Sequence, residues 1–286
     1  MNVQLHPVDA TKLSESARAL PPLPQTTAQI ITIIGDPYFQ VSDLIKVVAL
    51  DPTLTANLLR VANSAAYTTA RPAATVGDAI VRLGTGTIMA MALSTSARPP
   101  SNIDLSPFGL TTEEFWQHCV ASVAAAEELN SRRLARFGAG FSTAALLHDI
   151  GKLILAQHMT SERLEQMVEF RVSHPGQRAI DAERAVLGVD HARAGALVAS
   201  IWNLPEDIVG AIGHHHSRSQ WEKDLWNGVI LANQIALENA GHTDFTFGDS
   251  ELVADAMLAL DVEDRSYQAA ALASRGRYEN LIELFA

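Results

Sequence analysis

The sequence predicts an all-α protein, on three observations. Apolar residues recur with a period near 3.6 along most of the 286 residues, many of these segments carry both a start and a stop signal, and alternating strand patterns are nearly absent. Asp51-Pro52 supplies an N-cap followed by proline at the first helical position and opens "PTLTANLLRVANSA", with Leu54, Leu58, Leu59 and Val61 to bury. Asn63 and Ser64 can end that helix through side-chain bonds to backbone. "TVGDAIVRLG" opens at Thr75, has Asp78 three residues on in the manner of a capping box, and stops at Gly84. Thr111 with Glu114 caps "TTEEFWQHCVASVAAAEELN", which runs along an alanine-rich face to about Arg133. Later helices begin near Asp190, Pro205 and Trp221, and "WNLPEDIV" ends one helix before its proline and opens the next with two acids that suit its dipole. Residues 97–109, "ARPPSNIDLSPFG", hold three prolines and no helical period. They divide the chain into an N-terminal helical lobe, 1–104, and a second helical lobe with a C-terminal extension, 105–286.

Composition narrows the classes of function. The chain is 48% hydrophobic and 19% charged, without a low-complexity tract, as expected of a globular protein. Its net charge of −11 is uneven: residues 1–100 carry 7 Lys+Arg against 6 Asp+Glu, and the remainder 14 against 26. So acidic a second lobe repels phosphate backbones, and direct nucleic-acid binding is not expected. The longest weakly polar run, between Arg82 and Arg98, is 15 residues and is broken by threonines and serines, too short to span a bilayer. One cysteine, Cys119, cannot form an internal disulfide, and no basic-then-apolar leader opens the sequence, so the expected compartment is the cytoplasm. Cys119 itself reads as a small buried apolar group.

Polar residues then fall on apolar helix faces. His118 lies above Ala121, Ser122 and Ala125, and His148 shares a face with Ala144 and Ala145. His191 shares one with Gly195 and Val198, His215 with Ala211 and Ile212, and Asn233 with Val229 and Ala236. A lone histidine on such a face is most often a core residue bonded to a carbonyl. Several helices pointing polar groups inward are different, because each costs about 1–3 kcal/mol unless it finds a partner. They are expected to partner one another, directly or through a metal. Imidazoles with a carboxylate form a ligand set for Zn, Fe, Mn or Ni, and the adjacent His148-Asp149 pair can reach a shared ion where a helix ends ahead of Gly151.

The order His118, His148-Asp149 and a late acidic position resembles the HD superfamily of metal-dependent phosphohydrolases, and "HARAGALV" followed by "HHH" is similar to its HD-GYP branch. The fuller resemblance is to the HD-related output domain, HDOD, through "LPPLPQT", "VVALDPTLTANLLRVANSAAY", "TVGDAIVRLG", "FWQH", "AALLHDIGKLIL", "AERAVLGVDHARAGALVASIWNLPEDIVGAIGHHH" and "NGVILANQIA". That resemblance implies a helical lobe packed on an HD-like lobe, and a bacterial regulatory module without established catalysis. It also implies partners among signalling proteins, such as a receiver domain or a sensor-kinase pathway, and a nucleotide-type ligand. On the HD pattern His118 matches the first metal ligand and His148 and Asp149 the paired ligands. His191 and His214 or His215 match the additional positions used when two metals bind. Where the pattern asks for a final aspartate the chain has Asn233, a poorer ligand. "HHHSRSQ" stands where a GYP tripeptide would follow, so recognition of cyclic di-GMP does not carry over. Lys152 is the candidate catalytic cation, beside the reading that it is a charge favourable to a helix C-terminus. Three functions therefore stand side by side: a non-catalytic signalling module, a metal-dependent phosphohydrolase, and a helical scaffold whose histidines are core residues.

Overall fold

Helices make up the regular structure, and the capping residues named above set their ends. The structure, a computed structural model, describes residues 7–240 and 250–285 except 22, 37, 65–66, 68–70, 95–102, 133, 136, 139 and 218–223. Arg133, Trp221 and residues 97–102 of the expected lobe boundary thus lie outside the described residues.

After α1 (Ala10–Ala19), the first lobe contains α2 (Gln25–Gly35), α3 (Val41–Ala49), α4 (Pro52–Ala62), α5 (Val76–Leu83) and α6 (Thr85–Ser94). Asp51 Oδ1 accepts from the Leu54 N–H at 2.9 Å, capping α4 as its sequence predicts. At the other end Asn63 clasps Ala73, donating from Nδ2 to its carbonyl at 2.9 Å and accepting from its N–H at 2.7 Å. Arg82 Nη1 meanwhile donates to the Ala62 carbonyl at 2.8 Å, satisfying a terminal carbonyl of α4. The Thr75–Asp78 capping box is present, and Gly84, at φ 81°, ends α5.

That glycine explains the weakly polar run. Among the described residues no single helix is long and apolar enough to cross a membrane, and α5 and α6, which pass only as a pair, are bent by 107° at their break. Ile88 through Leu93 are all buried, because α6 packs on α2 on one side and, on the other, on α7 (Thr112–Ser131) and α8 (Phe141–Leu147). It is the shared element of the two lobes.

The second lobe is built around α7, capped by Thr111 with Glu114, buried from His118 to Ala126 and packed against α8, α14 (Asp224–Ala240) and α16 (Asp264–Phe285). Cys119 is buried on it, and burial pushes its thiol pKa up. The rest of the lobe is α9 (Gly151–Leu155), α10 (Ser161–Ser173), α11 (Ala179–Leu187), α12 (His191–Ile201), α13 (Glu206–His214) and α15 (Ser250–Ala259). Although α1 falls within residues 1–104, it packs on α9 and α12, burying Leu13 and Ala17. Val8 N–H donates to the Leu187 carbonyl at 2.8 Å, and Ser16 pairs with His158 at 2.9 Å. Residues 8–19 thus strap the second lobe from outside it in sequence.

We propose the division near residue 104. Since Ile103, Leu105, Phe108 and Leu110 are buried, limited proteolysis should cut on the N-terminal side of Ile103 and leave Pro52–Ala62 intact. First cuts within α4 would contradict this division.

Glu127 of α7 connects the lobes. Its Oε1 accepts from the Gly86 N–H of α6 at 2.7 Å and lies 3.4 Å from Ser142 Oγ. Burial raises its pKa, against the pull of Arg277, whose Nη2 donates to Glu128 at 2.9 Å. A carboxyl group whose pKa is raised on folding binds more protons in the native state, so its contribution to stability falls as pH rises above the ordinary value. Glu127→Gln keeps an acceptor for Gly86 and removes the charge. The variant should lose less stability than wild type between pH 5 and 7 in urea titrations, and identical pH profiles would show that Glu127 is not held in this way.

Candidate metal centre

The centre is assembled where α8 stops. Leu147 is the last residue of α8, His148-Asp149-Ile150 form a turn, and α9 restarts at Gly151, as expected of a helix ending ahead of that glycine. A Cβ at Gly151 would lie 2.0 Å from the His191 carbonyl oxygen, so only glycine lets α12 approach this turn. The close crossing brings His191 against Asp149.

Asp149 is the hub. Its Oδ2 lies 3.5 Å from His118 Nε2, 3.5 Å from His148 Nε2 and 2.6 Å from Lys152 Nζ. Its Oδ1 lies 3.2 Å from His191 Nε2 and 3.8 Å from His215 Nε2. His118 and His148 bring their Nε2 atoms within 3.1 Å, as do His191 and His216. His118, His148, Asp149, His191 and His215 are between 0 and 4% exposed, whereas His216 is half-buried.

The outer nitrogens are anchored. His148 Nδ1 donates to the Ala145 carbonyl and His215 Nδ1 to the Ile212 carbonyl, each at 2.7 Å, so the Nε2 of each ring is the lone-pair nitrogen. His191 Nδ1 donates to Glu183, 2.8 Å from each carboxylate oxygen, and Glu183 also accepts from the His191 backbone N–H at 2.7 Å. Hydrogen bonds that orient ring nitrogens in this way commonly surround metal sites.

The electrostatics follow from burial and from Asp149. Burial holds the pKa values of His148 and His215 down, His215 well below the ordinary range. Burial also opposes charge on His191, but Glu183 and Asp149 outweigh it and raise its pKa to about 9. Asp149 stays well below the usual carboxylate range despite burial, because Lys152, His148 and His191 surround it.

The donor set suits a divalent transition metal. His118, His148 and Asp149 form one group, and His191, His215 and His216 another, with the ligand atoms of each group within 4.8 Å of one another. His215 Nε2 is buried without a hydrogen-bond partner among the described residues, an orphan that a cation would satisfy.

Of the residues singled out in the sequence, His118, His148, Asp149, His191 and His215 come together with Lys152. His214 does not: it is exposed and stacks on Trp226, ring centroids 4.2 Å apart, because the last turn of α13 points it outward. Asn233 is half-buried and makes no side-chain hydrogen bond among the described residues. Lys152 is the second residue of the five-residue α9, the basic residue of its last turn, and its Nζ pairs with Asp149 Oδ2 at 2.6 Å. The sequence reading missed His216 and Glu183. Glu183 carried a usable signal, a carboxylate sharing its helix face with Ile180, Val186 and Leu187.

Residues 20–218 match the HDOD domain family, to which the chain belongs. An uncharacterized protein of Treponema pallidum (strain Nichols) is 25% identical over 249 residues, 82% of this chain and 46% of its own, so the chain spans under half the length of that curated relative. Among solved structures, a Shewanella amazonensis protein whose name assigns it provisionally to the phosphohydrolases superposes with a TM-score of 0.64 at 21% identity, covering 96% of this chain and 98% of its own. A Marinobacter aquaeolei protein, named provisionally for signal transduction, gives 0.66 at 21% identity over 96% of this chain and 64% of its own. A Geobacter sulfurreducens HDOD domain protein of unknown function gives 0.58 at 20% identity over 93% and 98%. These likenesses are of fold.

Proposed function

We propose that the chain is a non-catalytic HDOD signalling module of the cytoplasm, acting through protein or small-ligand binding, whose HD-like lobe holds a divalent transition metal (Fe, Mn, Zn or Ni) as a structural and regulatory element. The observation that carries this reading is closure: the five inward ligands His118, His148, Asp149, His191 and His215 are at most 4% exposed, and Lys152 already occupies Asp149 Oδ2 at 2.6 Å. Catalytic metal sites keep a position open to substrate, and structural sites are closed. Asn233 adds support, since the HD pattern's final carboxylate is absent. The signalling context, with a receiver domain or sensor-kinase pathway as partner, draws on the family and on the name of the Marinobacter relative.

A second reading, a metal-dependent phosphohydrolase, is favoured by the way Asp149 divides its two oxygens between two groups of histidines. A metal pair held there would supply Lewis acidity to a phosphate oxygen. Elemental analysis of tag-free protein, with a phosphodiesterase assay in added Mn and Fe, separates the two. Bound transition metal without turnover is expected. Rapid hydrolysis of a phosphodiester would establish the enzyme, and a metal-free protein that takes up none would leave the histidines as core residues.

A further inference from the structure

Beside the centre, and sharing His216 with it, lies a cleft of about 1010 Å³ lined by both arginines and carboxylates. α11 with its N-cap and α12 contribute Arg178, Asp181, Arg184 and Arg193 to its lining, with half-buried His216. α15 contributes Glu251 and Asp255 to the same lining. The arginines are not equivalent. Arg178 donates to the His216 carbonyl at 2.9 Å and so fixes the segment carrying that histidine. Arg184 is bound to Asp190 at 2.6 Å and to Asp181 at 3.3 Å, yet its side chain is 40% exposed. Arg193 is exposed and its guanidinium has no partner among the described residues. Glu251 and Asp255 are likewise exposed, and their carboxylates have no partner among the described residues.

We propose that this cleft binds a phosphorylated small molecule bearing an exocyclic amine, a nucleotide in chemical class, with its phosphate on Arg193 and Arg184 and its amine on Glu251 and Asp255. A planar guanidinium binds phosphate oxygens in pairs, and a carboxylate accepts from an amine but repels a carbonyl. Two carboxylates and a guanidinium that have no partner among the described residues line one cleft, and together they select a ligand that carries both a phosphate and an amine. His216 belongs to both the cleft and the second group of metal-capable histidines, so a bound phosphate would be felt at the centre. The inference rests on the regulatory reading above and names the ligand that the module answers to.

Calorimetric titration of the full chain with ADP, CDP, UDP and pyrophosphate tests it, with metal content measured on the same samples. CDP and UDP differ by an amine against a carbonyl, so CDP should bind about tenfold more tightly than UDP, with ADP on the CDP side. Arg193→Ala should weaken all four ligands by about ten- to hundredfold, and Arg193→Lys by less. Glu251→Ala with Asp255→Ala should abolish the preference for CDP over UDP. These positions are exposed, so unchanged thermal unfolding serves as the check on folding. Failure of every ligand to bind metal-replete wild-type protein overturns the cleft and leaves the metal reading standing. Selective CDP binding by protein that holds no metal and takes none up supports the cleft and sinks the metal reading. Equal gains for all ligands on removing the two acids would show that α15 only repels, which also overturns the proposal.

Discussion

Replacing Asp149 by alanine is expected to lower stability by about 3–5 kcal/mol, the cost of leaving a buried cation without its partner. Two groups depend on it: Lys152, whose ammonium lies 2.6 Å from Oδ2 in a side chain only 12% exposed, and His191, whose Nε2 lies 3.2 Å from Oδ1. Asp149→Asn keeps the volume and an acceptor and should lose less, though still more than His148→Ala. That variant strands the Ala145 carbonyl and the facing nitrogen of His118, at about 1–3 kcal/mol. His174→Ala, exposed on the surface, should stay within roughly 0.5 kcal/mol. Urea titrations of the four variants give the order directly. If Asp149→Ala fell level with His174→Ala, Lys152 and His191 would have to relax into solvent and the centre could not be the packed unit described here.

The helix ends and the inward histidines were legible for a common reason: both are set locally. Asp51, Thr75 and Thr111 cap within three residues of themselves, and His118, His148, His191 and His215 declare a buried face by the apolar residues one turn away. What escaped depended on contacts across the chain. That α1 packs on α9 and α12 follows from Leu13 and Ala17 having no sufficient face to bury against nearby, and no pattern in residues 10–19 names the distant partner. The histidine triplet shows the limit most sharply. Periodicity places His215 over Ala211 and Ile212 but cannot reach His216, because the helix ends within the triplet: His214 is the last residue of α13, and the turn after it brings His216 beside His215.

Glu183 carries the second large effect. It sits 2% exposed, and its carboxylate takes both the Nδ1–H and the backbone N–H of His191, so Glu183→Ala would strand two buried donors and a raised histidine together. A loss of about 3 kcal/mol is expected, from charge-assisted bonds worth about 1.5–3 kcal/mol each and partly recovered by relaxation. The effect should reach the metal as well. Without Glu183 the His191 ring loses the bond that fixes its orientation and raises its basicity, and zinc affinity should fall about ten- to hundredfold. Glu183→Gln tells support apart from simple packing. The amide oxygen can still accept one of the two N–H groups and fills the same space, so stability should return most of the way while zinc affinity recovers only in part, because the negative charge is gone. Denaturant titration and calorimetry on the same preparations measure the two quantities. Should Glu183→Gln bind zinc as wild type does, His191 would be a core residue held by hydrogen bonds alone, and the ligand set would contract to His118, His148 and Asp149.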